Sequence, residues 1–437
     1  MKRPVIYDVT RLATRFSRPA PNGIDRVDLG YARHFLSAER QATGALLNGS
    51  ASPRAISNGT AGRIVTSIAD HWRETDTADV DPVFKDLASK LGLTSGGLIA
   101  GGQPNRPTNA QRARKSIYAL AGSTQLFGTR GLFPGRSLIK TAPENAIYLN
   151  TSQFPLWLDW YFRWLDKRPD VKAMFFIHDL LPLDYPEFFP PAEEPRHRAR
   201  MEVLSRRADA VIVASDATKD RLNRYFHDTQ RSAPSIHVVP LPVDDAFKTR
   251  TSPLNTKASK PYFVVIGTIE PRKNHLLLLH IWRDLVEKLG EATPRLVIVG
   301  ARGWEHENVS DLLERCDRLQ GHVLEARGLS TPGLVEIISN SNAVLMPTLA
   351  EGFGLPVVEA LACGVHVIAS KIAVFETEQR LNLTLIDPLD GPGWREAILA
   401  HATGASIGSQ AKALPEKRSV DSWMLHCEHI EKVIVRM

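Results

Sequence analysis

The stretch EGFGLPVVEALACG, which begins at residue 351, combines two carboxylates with a glycine-rich turn. Gly352 and Gly354 let the backbone approach a ligand closely, because glycine has no side chain. A helix that follows, with a proline in its first turn, presents free N–H groups and a positive end to an anion. Glu351 before this turn and Glu359 inside the helix can accept hydrogen bonds from hydroxyl groups. The pattern therefore predicts a site for a ligand that carries both phosphate and hydroxyl groups.

Further polar residues follow two apolar runs that read as strands. Arg272 and Lys273 lie in VIGTIEPRKNH, between a strand end and a helix start, where cations can bind phosphate. His178 ends the run KAMFFI and can hydrogen-bond a hydroxyl or stabilise charge. Asp179, the next residue, can orient His178 or a second substrate. Gly23 precedes a helix, so its loop can approach a phosphate as well.

The elements that must position these residues alternate between strand and helix. Strands are predicted in the C-terminal half at residues 261–267, 295–300, 322–328, 343–348 and 365–370. The helices between them are predicted at residues 274–290, 308–319, 330–341 and 355–364. In the N-terminal half, a helix near 24–40 accompanies strands at 4–10, 146–150, 172–183, 208–216 and 236–243. Continuous apolar strands that alternate with helices predict two doubly wound, parallel-sheet domains.

The domain boundaries follow from changes in composition. We predict an N-terminal Rossmann-like domain at 1–248, a linker at 249–260, a C-terminal nucleotide-binding domain at 261–420, and a helix at 421–437 that packs back on the N-terminal domain. Residues 48–142 read as an irregular insert, because they are rich in Gly, Asn, Pro and Ser. Ligands of such sheets bind at the carboxyl ends of the strands, where the strand order reverses. The predicted site therefore lies in a cleft between the domains.

The composition excludes several classes of protein. The chain has 437 residues, a formal net charge of +6 and three widely separated cysteines, which fits a reducing, cytoplasmic location without disulfides. No apolar run is long enough to span a bilayer. A GxGxxG string after a strand and a Walker A string are both missing, which argues against nicotinamide and P-loop chemistry. The modest charge and the absence of a recognition motif argue against nucleic-acid binding.

The motifs together resemble glycosyltransferase family 4, whose members are retaining enzymes of the GT-B fold. The resemblance rests on EGFGLPVVEALACG and VIGTIEPRKNH, and on VGARGW, HDLLPLDYPEFF, VIASKIAVFETE and NGIDRV in the family's order. It covers most of residues 1–35 and 146–390 and leaves out the insert. The resemblance implies a GT-B fold, in which two Rossmann-like domains face each other across a cleft.

The resemblance also implies a role for each candidate residue. Glu351 and His178 would be the catalytic residues. The donor diphosphate would be bound by Lys273, Arg272, Gly23 and Leu355. The transferred sugar would be held by Glu351, Gly352, Phe353 and Gly354. Glu359 would bind the ribose, and Asp179 would lie on the acceptor side.

The function implied is transfer of a hexose or deoxyhexose, with mannose favoured, from a nucleoside-diphosphate sugar to a hydroxyl of a glycan or lipid-linked acceptor. GDP-mannose is the favoured donor, surface polysaccharide synthesis is the expected process, and neither a metal nor a cofactor is expected. The Asp-Val-Asp string at 79–81, a metal-binding pattern in other glycosyltransferases, has no strand before it and reads as incidental.

Three questions stay open in the sequence. The basic segment 104–142 is either a contact with the inner face of an anionic membrane or a solvated loop. The same nucleotide cleft would also serve an epimerase of the GT-B type, which acts on a nucleotide sugar without an acceptor. A non-catalytic sugar-nucleotide-binding protein is the third alternative.

Overall fold

The computed structural model describes residues 3–16, 21–37, 39–40, 42–48, 51–72, 78–93, 136–248, 258–376, 382–404 and 422–437. The chain divides into two compact units. The first unit comprises Met1–Glu74, Gly102–Pro242 and Trp423–Met437. The second unit comprises Thr75–Gly101 and Val243–Ser422.

Strands and helices alternate through most of the described chain. The strands are β1 (Val5–Asp8), β2 (Ala42–Asn48), β3 (Ala51–Ser57), β4 (Arg136–Ser137), β5 (Ile147–Asn150), β6 (Lys172–Ile177), β7 (Ala210–Val213), β8 (Ser235–Val238), β9 (Tyr262–Ile266), β10 (Arg295–Val299), β11 (Val323–Ala326), β12 (Ala343–Met346), β13 (Val367–Ser370) and β14 (Leu383–Ile386). The α-helices are α1 (Thr10–Ala13), α2 (Gly23–Phe35), α3 (Asn58–Trp72), α4 (Pro82–Leu91), α5 (Leu138–Thr141), α6 (Asp159–Phe162), α7 (Leu181–Asp184), α8 (Glu193–Arg207), α9 (Asp216–Asp228), α10 (His275–Leu289), α11 (Glu307–Arg315), α12 (Thr331–Ser339), α13 (Leu355–Ala362), α14 (Ala373–Glu376), α15 (Gly391–Ala402) and α16 (Trp423–Arg436).

The first unit is built on an eight-stranded sheet in the order β4-β3-β2-β1-β5-β6-β7-β8. Along the sheet from β2 to β1, β5, β6, β7 and β8, neighbouring strands are parallel, with Val5 of β1 opposite Ala42 and Ile147. The pairings of β3 with β2 and with β4 are antiparallel. The strand order reverses between β1 and β5, so the loops that follow these two strands diverge at the carboxyl edge of the sheet.

The second unit is built on a six-stranded parallel sheet in the order β11-β10-β9-β12-β13-β14. Alternate residues of β9 enter two different cores: Tyr262 and Val264 pack with α4, α12 and α13, whereas Phe263 and Val265 pack with α10 and α15. Both faces of the sheet are therefore covered, which explains why its strands are continuous apolar runs. The strand order reverses between β9 and β12, and this point is where such sheets bind ligands.

The prediction that residues 48–142 are irregular is wrong for the parts that are described. They contain β3, α3, α4, β4 and α5. In α3, Ile64, Val65 and Ile68 are buried at helical spacing, and small polar residues between them hide this pattern in the sequence. In α4, Asp81 caps the start and Gly92, with φ of 73°, ends the helix.

Helix α4 also changes the predicted domain division. Its apolar residues Phe84, Leu87 and Leu91 enter the same core as β9 and α13, so this part of the insert belongs to the second unit. Asp81 contributes to this packing, since its Oδ2 accepts the backbone N–H of Ser330 at 2.8 Å. The predicted N-terminal domain at 1–248 therefore includes a segment that packs with the C-terminal one.

Helix α16 packs within the first unit, although it ends the chain. The ring of His426 hydrogen-bonds the carbonyl of Pro240 at 2.9 Å and the hydroxyl of Tyr31 at 2.8 Å. Trp423 lies so close to Gly30 that a Cβ there would meet its ring at 2.4 Å. Most of the predicted linker 249–260 and of the basic segment 104–142 lies outside the described residues. Among the helices that are described, none combines the length and the apolar character needed to cross a bilayer.

Candidate active site

The loop after β9 is fixed against the loop after β10. The backbone N–H of Ile269 donates to Ala301 at 2.8 Å, and that of Gly303 donates back to Ile269 at 2.9 Å. The chains approach so closely that a Cβ on Gly300 would lie 1.9 Å from the carbonyl oxygen of Gly267. A short 3-10 turn, Pro271–Lys273, then leads into α10. The turn places two cations at the carboxyl end of β9, as the sequence predicts.

Glu351, in the loop after β12, meets both of these cations. Its Oε1 accepts a hydrogen bond from the ammonium of Lys273 and lies 3.1 Å from a guanidinium nitrogen of Arg272. The same guanidinium nitrogen donates to the carbonyl of Ala350 at 3.0 Å. Lys273 and Glu351 are 78 residues apart in the chain. The structure therefore brings the two predicted groups together at the switch point between β9 and β12.

Burial and pairing together set the charges in this cluster. The side chains of Lys273 and Glu351 are each 9% exposed. Burial alone would raise the pKa of Glu351, but Arg272 and then Lys273 outweigh it and hold the pKa at about 2. Burial lowers the pKa of Lys273, and the Glu351 carboxylate partly restores it. At neutral pH Glu351 is therefore a carboxylate that accepts hydrogen bonds and cannot act as an acid.

All of the hydrogen bonds and ion pairs found for Glu351 among the described residues end on Oε1. Its second oxygen, Oε2, can therefore accept a hydrogen bond from a ligand hydroxyl. The ammonium of Lys273 has three N–H groups and gives one to Glu351, so two remain for the oxygens of an anion. The pair thus offers an acceptor and a donor to the same ligand.

Two further residues of this cluster were not predicted from the sequence. Glu270 is 3% exposed and its carboxylate lies 2.6 Å from Nε of Arg272, so it fixes the guanidinium. Thr348 is fully buried, and its hydroxyl lies within hydrogen-bonding distance of Arg272 O, Ala350 O and Glu351 Oε1. Their positions in the sequence could have indicated a role in the site, because both are polar residues that follow the carboxyl end of a strand.

The glycine turn that follows Glu351 leads into α13 as predicted. Gly354 has φ of 82°, in the left-handed region, and a Cβ there would lie 2.3 Å from the ring of Phe375. Only glycine therefore fits this position without strain. The helix begins at Leu355 with no side chain capping its first amides. Glu359 lies one turn inside and is 2% exposed.

Asn274, the residue before α10, has a left-handed backbone conformation. Its φ is 55°, and its side chain donates to the carbonyl of Pro388 at 3.1 Å. No side-chain hydrogen bond therefore caps the helix at Asn274. The helix begins at His275, one residue later than predicted.

His178 belongs to the first unit and follows β6. Its Nε2 lies 2.9 Å from the carbonyl oxygen of Thr151, so the ring carries its proton on Nε2. Burial lowers the pKa of His178 to about 3, and the imidazole is therefore neutral at physiological pH. Its Nδ1 can then accept a hydrogen bond from a hydroxyl. This protonation state fits a hydrogen-bonding role better than the alternative role of stabilising charge.

A buried network behind His178 was not predicted. The hydroxyl of Thr151 donates to Oδ1 of Asp28 at 2.8 Å, and the hydroxyl of Tyr7 lies 2.6 Å from the same oxygen. Burial raises the pKa of Asp28 to about 7. Through Thr151, this network fixes the orientation of the imidazole.

The two other candidates of the first unit lie at the starts of helices. Gly23 is the first residue of α2, and Asn22 before it forms a reciprocal capping box with Asp25. Asp25 is fully buried and also pairs with Arg11 at 2.7 Å, so this acid supports the helix start. Asp179 accepts the backbone N–H of Leu181 at 3.1 Å. The diphosphate role of Gly23 and the acceptor role of Asp179 stay predictions.

Comparison with known proteins gives two adjoining family matches. Residues 98–247 match the model "Glycosyltransferase Family 4", and residues 247–379 match "Glycosyl transferases group 1". The serotype-specific mannosyltransferase WbdA of Escherichia coli is 26% identical over 217 residues, which are 47% of this chain and 26% of that protein. The O-antigen chain mannosyltransferase B of Escherichia coli is 28% identical over 216 residues, or 46% of this chain and 53% of that protein. The matches thus span between a quarter and about half of the length of these two relatives.

Solved structures support the fold. Anabaena HepE in complex with UDP-glucose aligns over the full length of both chains, with a TM-score of 0.61 and 15% identity. A sucrose-phosphate synthase from Thermosynechococcus elongatus aligns over 100% of this chain and 99% of its own, with a TM-score of 0.59 and 16% identity. The prediction of a GT-B fold with two Rossmann-like domains is confirmed. By these matches, the chain belongs to the group 1 and family 4 glycosyltransferases of the GT-B fold.

Proposed function

We propose that this protein transfers a hexose, with mannose favoured, from a nucleoside-diphosphate sugar to a hydroxyl of a glycan or lipid-linked acceptor, with retention of the anomeric configuration. The observation that carries the proposal is the contact of Glu351 with both Lys273 and Arg272 at the switch point of the second unit. Membership of the family supports the class of reaction. The names of the two related mannosyltransferases support mannose as the transferred sugar. The name of the second, an O-antigen chain mannosyltransferase, supports a surface glycan as the product.

The cations of this cluster suit a leaving diphosphate. As the bond between sugar and phosphate breaks, negative charge grows on the phosphate oxygens. Lys273 and Arg272 are already fixed by Glu351 and Glu270, so they can stabilise that charge without having to reorganise. The start of α13 adds free N–H groups and the positive end of a helix dipole.

The carboxylate of the cluster suits the transferred sugar. Glu351 stays ionised at neutral pH, so its free oxygen would accept a hydrogen bond from a sugar hydroxyl. This contact would orient the sugar above the diphosphate that Lys273 binds. In the first unit, Nδ1 of the neutral His178 would accept a hydrogen bond from a further hydroxyl. Glu359 would bind the ribose hydroxyls.

Incubation with nucleotide sugars and chemical analysis of the products tests the proposal. Purified protein is given GDP-mannose, UDP-glucose or a deoxyhexose nucleotide, together with a mannose-terminated acceptor. We expect a new glycosidic bond of the donor's own anomeric configuration from the wild type, and none from Glu351→Ala. An altered nucleotide sugar without transfer would show an epimerase instead. Nucleotide-sugar binding without any product would show a binding protein.

We also propose that the reaction needs no metal ion, because Lys273, Arg272 and the start of α13 can neutralise the leaving diphosphate. The rate of transfer should therefore be the same with and without an excess of EDTA. A rate that falls with EDTA and returns with Mg²⁺ or Mn²⁺ would contradict this part of the proposal.

A further inference from the structure

A cavity of about 600 Å³ lies in the first unit, between α9, the edge strand β8 and the C-terminal helix α16. Its lining includes the cations Lys219, Lys432 and Arg436, and the histidines His237 and His429. The carboxylate side chain in the lining is that of Asp216. The cavity therefore carries a net positive charge that comes from two separate helices.

The three cations are available to a ligand. Within the ranges that the structure describes, none of Lys219, Lys432 and Arg436 forms an ion pair with a carboxylate. Exposed cations elsewhere in the chain do form such pairs, as Lys288 does with Asp284 and Arg315 with Asp311, both at 2.8 Å. Asp216 offsets part of the charge of the cavity, and the three cations still leave a net positive charge there.

The arrangement of α16 directs its basic side chains to this cavity. His429, Lys432 and Arg436 follow each other at spacings of three and four residues, so they lie on one face of the helix. Glu431, the residue before Lys432, does not neutralise these basic side chains. It contacts His34 at 3.2 Å and forms an ion pair with Arg40. Glu428, four residues before Lys432 on the same helix, does not line the cavity.

His237 lines the same cavity as the cations. Burial lowers the pKa of His237, and Lys219 on α9 and Arg436 on α16 lower it further. Charges from two different helices thus reach the same imidazole on β8. Such convergence of cations on a concave surface is the arrangement that binds phosphate.

We propose that this cavity is a binding site for a phosphate-bearing anion, supplied by a lipid headgroup or free in solution. The site goes beyond the proposed donor site, because none of the candidate donor residues lines this cavity. The surface of α16 favours the lipid as the source, because the exposed large apolar side chains of the described chain include three on this helix, Met424, Leu425 and Val435. Exposed apolar side chains on a helix that also lines a basic cavity suit the surface of an anionic membrane.

The double variant Lys432→Gln with Arg436→Gln tests the site. Both residues are exposed, and glutamine keeps a high helix propensity, so α16 should remain folded. Full-length wild type and variant are sedimented with vesicles of phosphatidylglycerol and phosphatidylcholine, and separately titrated with inorganic pyrophosphate. For a lipid ligand we expect the variant to bind the anionic vesicles about 30-fold more weakly, since each surface cation contributes about 1 kcal/mol, or roughly fivefold in affinity.

A matched control separates the site from general charge. Lys288→Gln with Arg315→Gln removes the same net charge from cations that already have partners, and it should bind the vesicles as the wild type does. Circular dichroism checks that each variant is folded. Lys219→Gln removes the cation that α9 contributes to the cavity, so it tests the site independently of α16. GDP-mannose binding should be the same in all of these proteins, so a failure here does not bear on the donor site.

Each outcome decides the proposal. A specific loss of vesicle binding identifies a lipid headgroup, and a specific loss of pyrophosphate binding identifies a free phosphate compound. If the Lys432→Gln, Arg436→Gln variant bound both probes as tightly as the wild type does, the proposed site would be overturned. A loss of binding in the control variant as large as that in this double variant would also overturn it.

Discussion

Replacing Lys273 by methionine removes the ammonium from the centre of the candidate site while nearly preserving the volume of the side chain. Lys273 is buried and donates to Oε1 of Glu351. After the change, Glu351 would keep Arg272 at 3.1 Å and the hydroxyl of Thr348 at 3.3 Å. The site would then hold one cation fewer for a diphosphate and keep its carboxylate ionised.

The magnitude follows from these contacts. Removal of one partner of a buried ion pair costs about 3–5 kcal/mol of stability when the remaining charge has no other partner. Because Arg272 remains beside Glu351, we expect a smaller loss of about 1–3 kcal/mol. A charge-assisted hydrogen bond to the diphosphate contributes about 1.5–3 kcal/mol, so the donor should bind roughly 10- to 150-fold more weakly.

Isothermal titration with GDP-mannose measures the affinity, and thermal unfolding measures the stability. Lys288→Met is the matched control, because this exposed lysine lies in the same unit and pairs with Asp284. We expect the control to bind the donor as the wild type does. A folded Lys273→Met protein that binds GDP-mannose as tightly as the wild type would refute the reasoning.

Three further predictions concern the same unit. The lowered pKa of Glu351, about 2, stabilises the folded state above the usual pKa of a glutamate, and this contribution is lost as the pH falls towards 2. The Tm advantage of the wild type over Glu351→Gln should therefore shrink between pH 5 and pH 2, and a constant advantage would contradict the pairing. Gly354→Ala should lower the Tm more than Gly321→Ala, because both have φ near 80° but only Gly354 faces a ring within 3 Å of the added Cβ. Asp81→Ala should cost about 1–3 kcal/mol through the lost helix cap and the unsatisfied N–H of Ser330. Asp86→Ala, on the exposed side of the same helix, should leave the Tm nearly unchanged.

The sequence predicts the elements around the donor site well. Buried parallel strands are continuous apolar runs, and the glycines after β9 and β12 mark the points where the backbone turns. These local signals place Lys273 and Glu351 at strand ends. Their direct contact depends on the strand order of the sheet, in which β9 lies next to β12 although three helices and two strands separate them in the chain.

Other features could not be predicted because they depend on tertiary packing. Helix α4 is short and amphipathic, and only its contacts with the core of the second unit reveal where it belongs. Thr348 is an ordinary strand-end residue until the carboxylate of Glu351 and the carbonyl of Arg272 approach it. The network of Tyr7, Asp28 and Thr151 joins residues from three distant parts of the chain. Hydrophobic periodicity in the sequence does not predict contacts between such distant residues.

The crystal structure of the protein with GDP bound is the most direct test of the central claim, that a nucleotide diphosphate binds at Lys273 and the start of α13. We predict that diphosphate oxygens lie about 3 Å from Nζ of Lys273 and from the first backbone N–H of that helix. GDP bound elsewhere, with the contact between Lys273 and Glu351 unchanged and no phosphate beside it, would contradict the account.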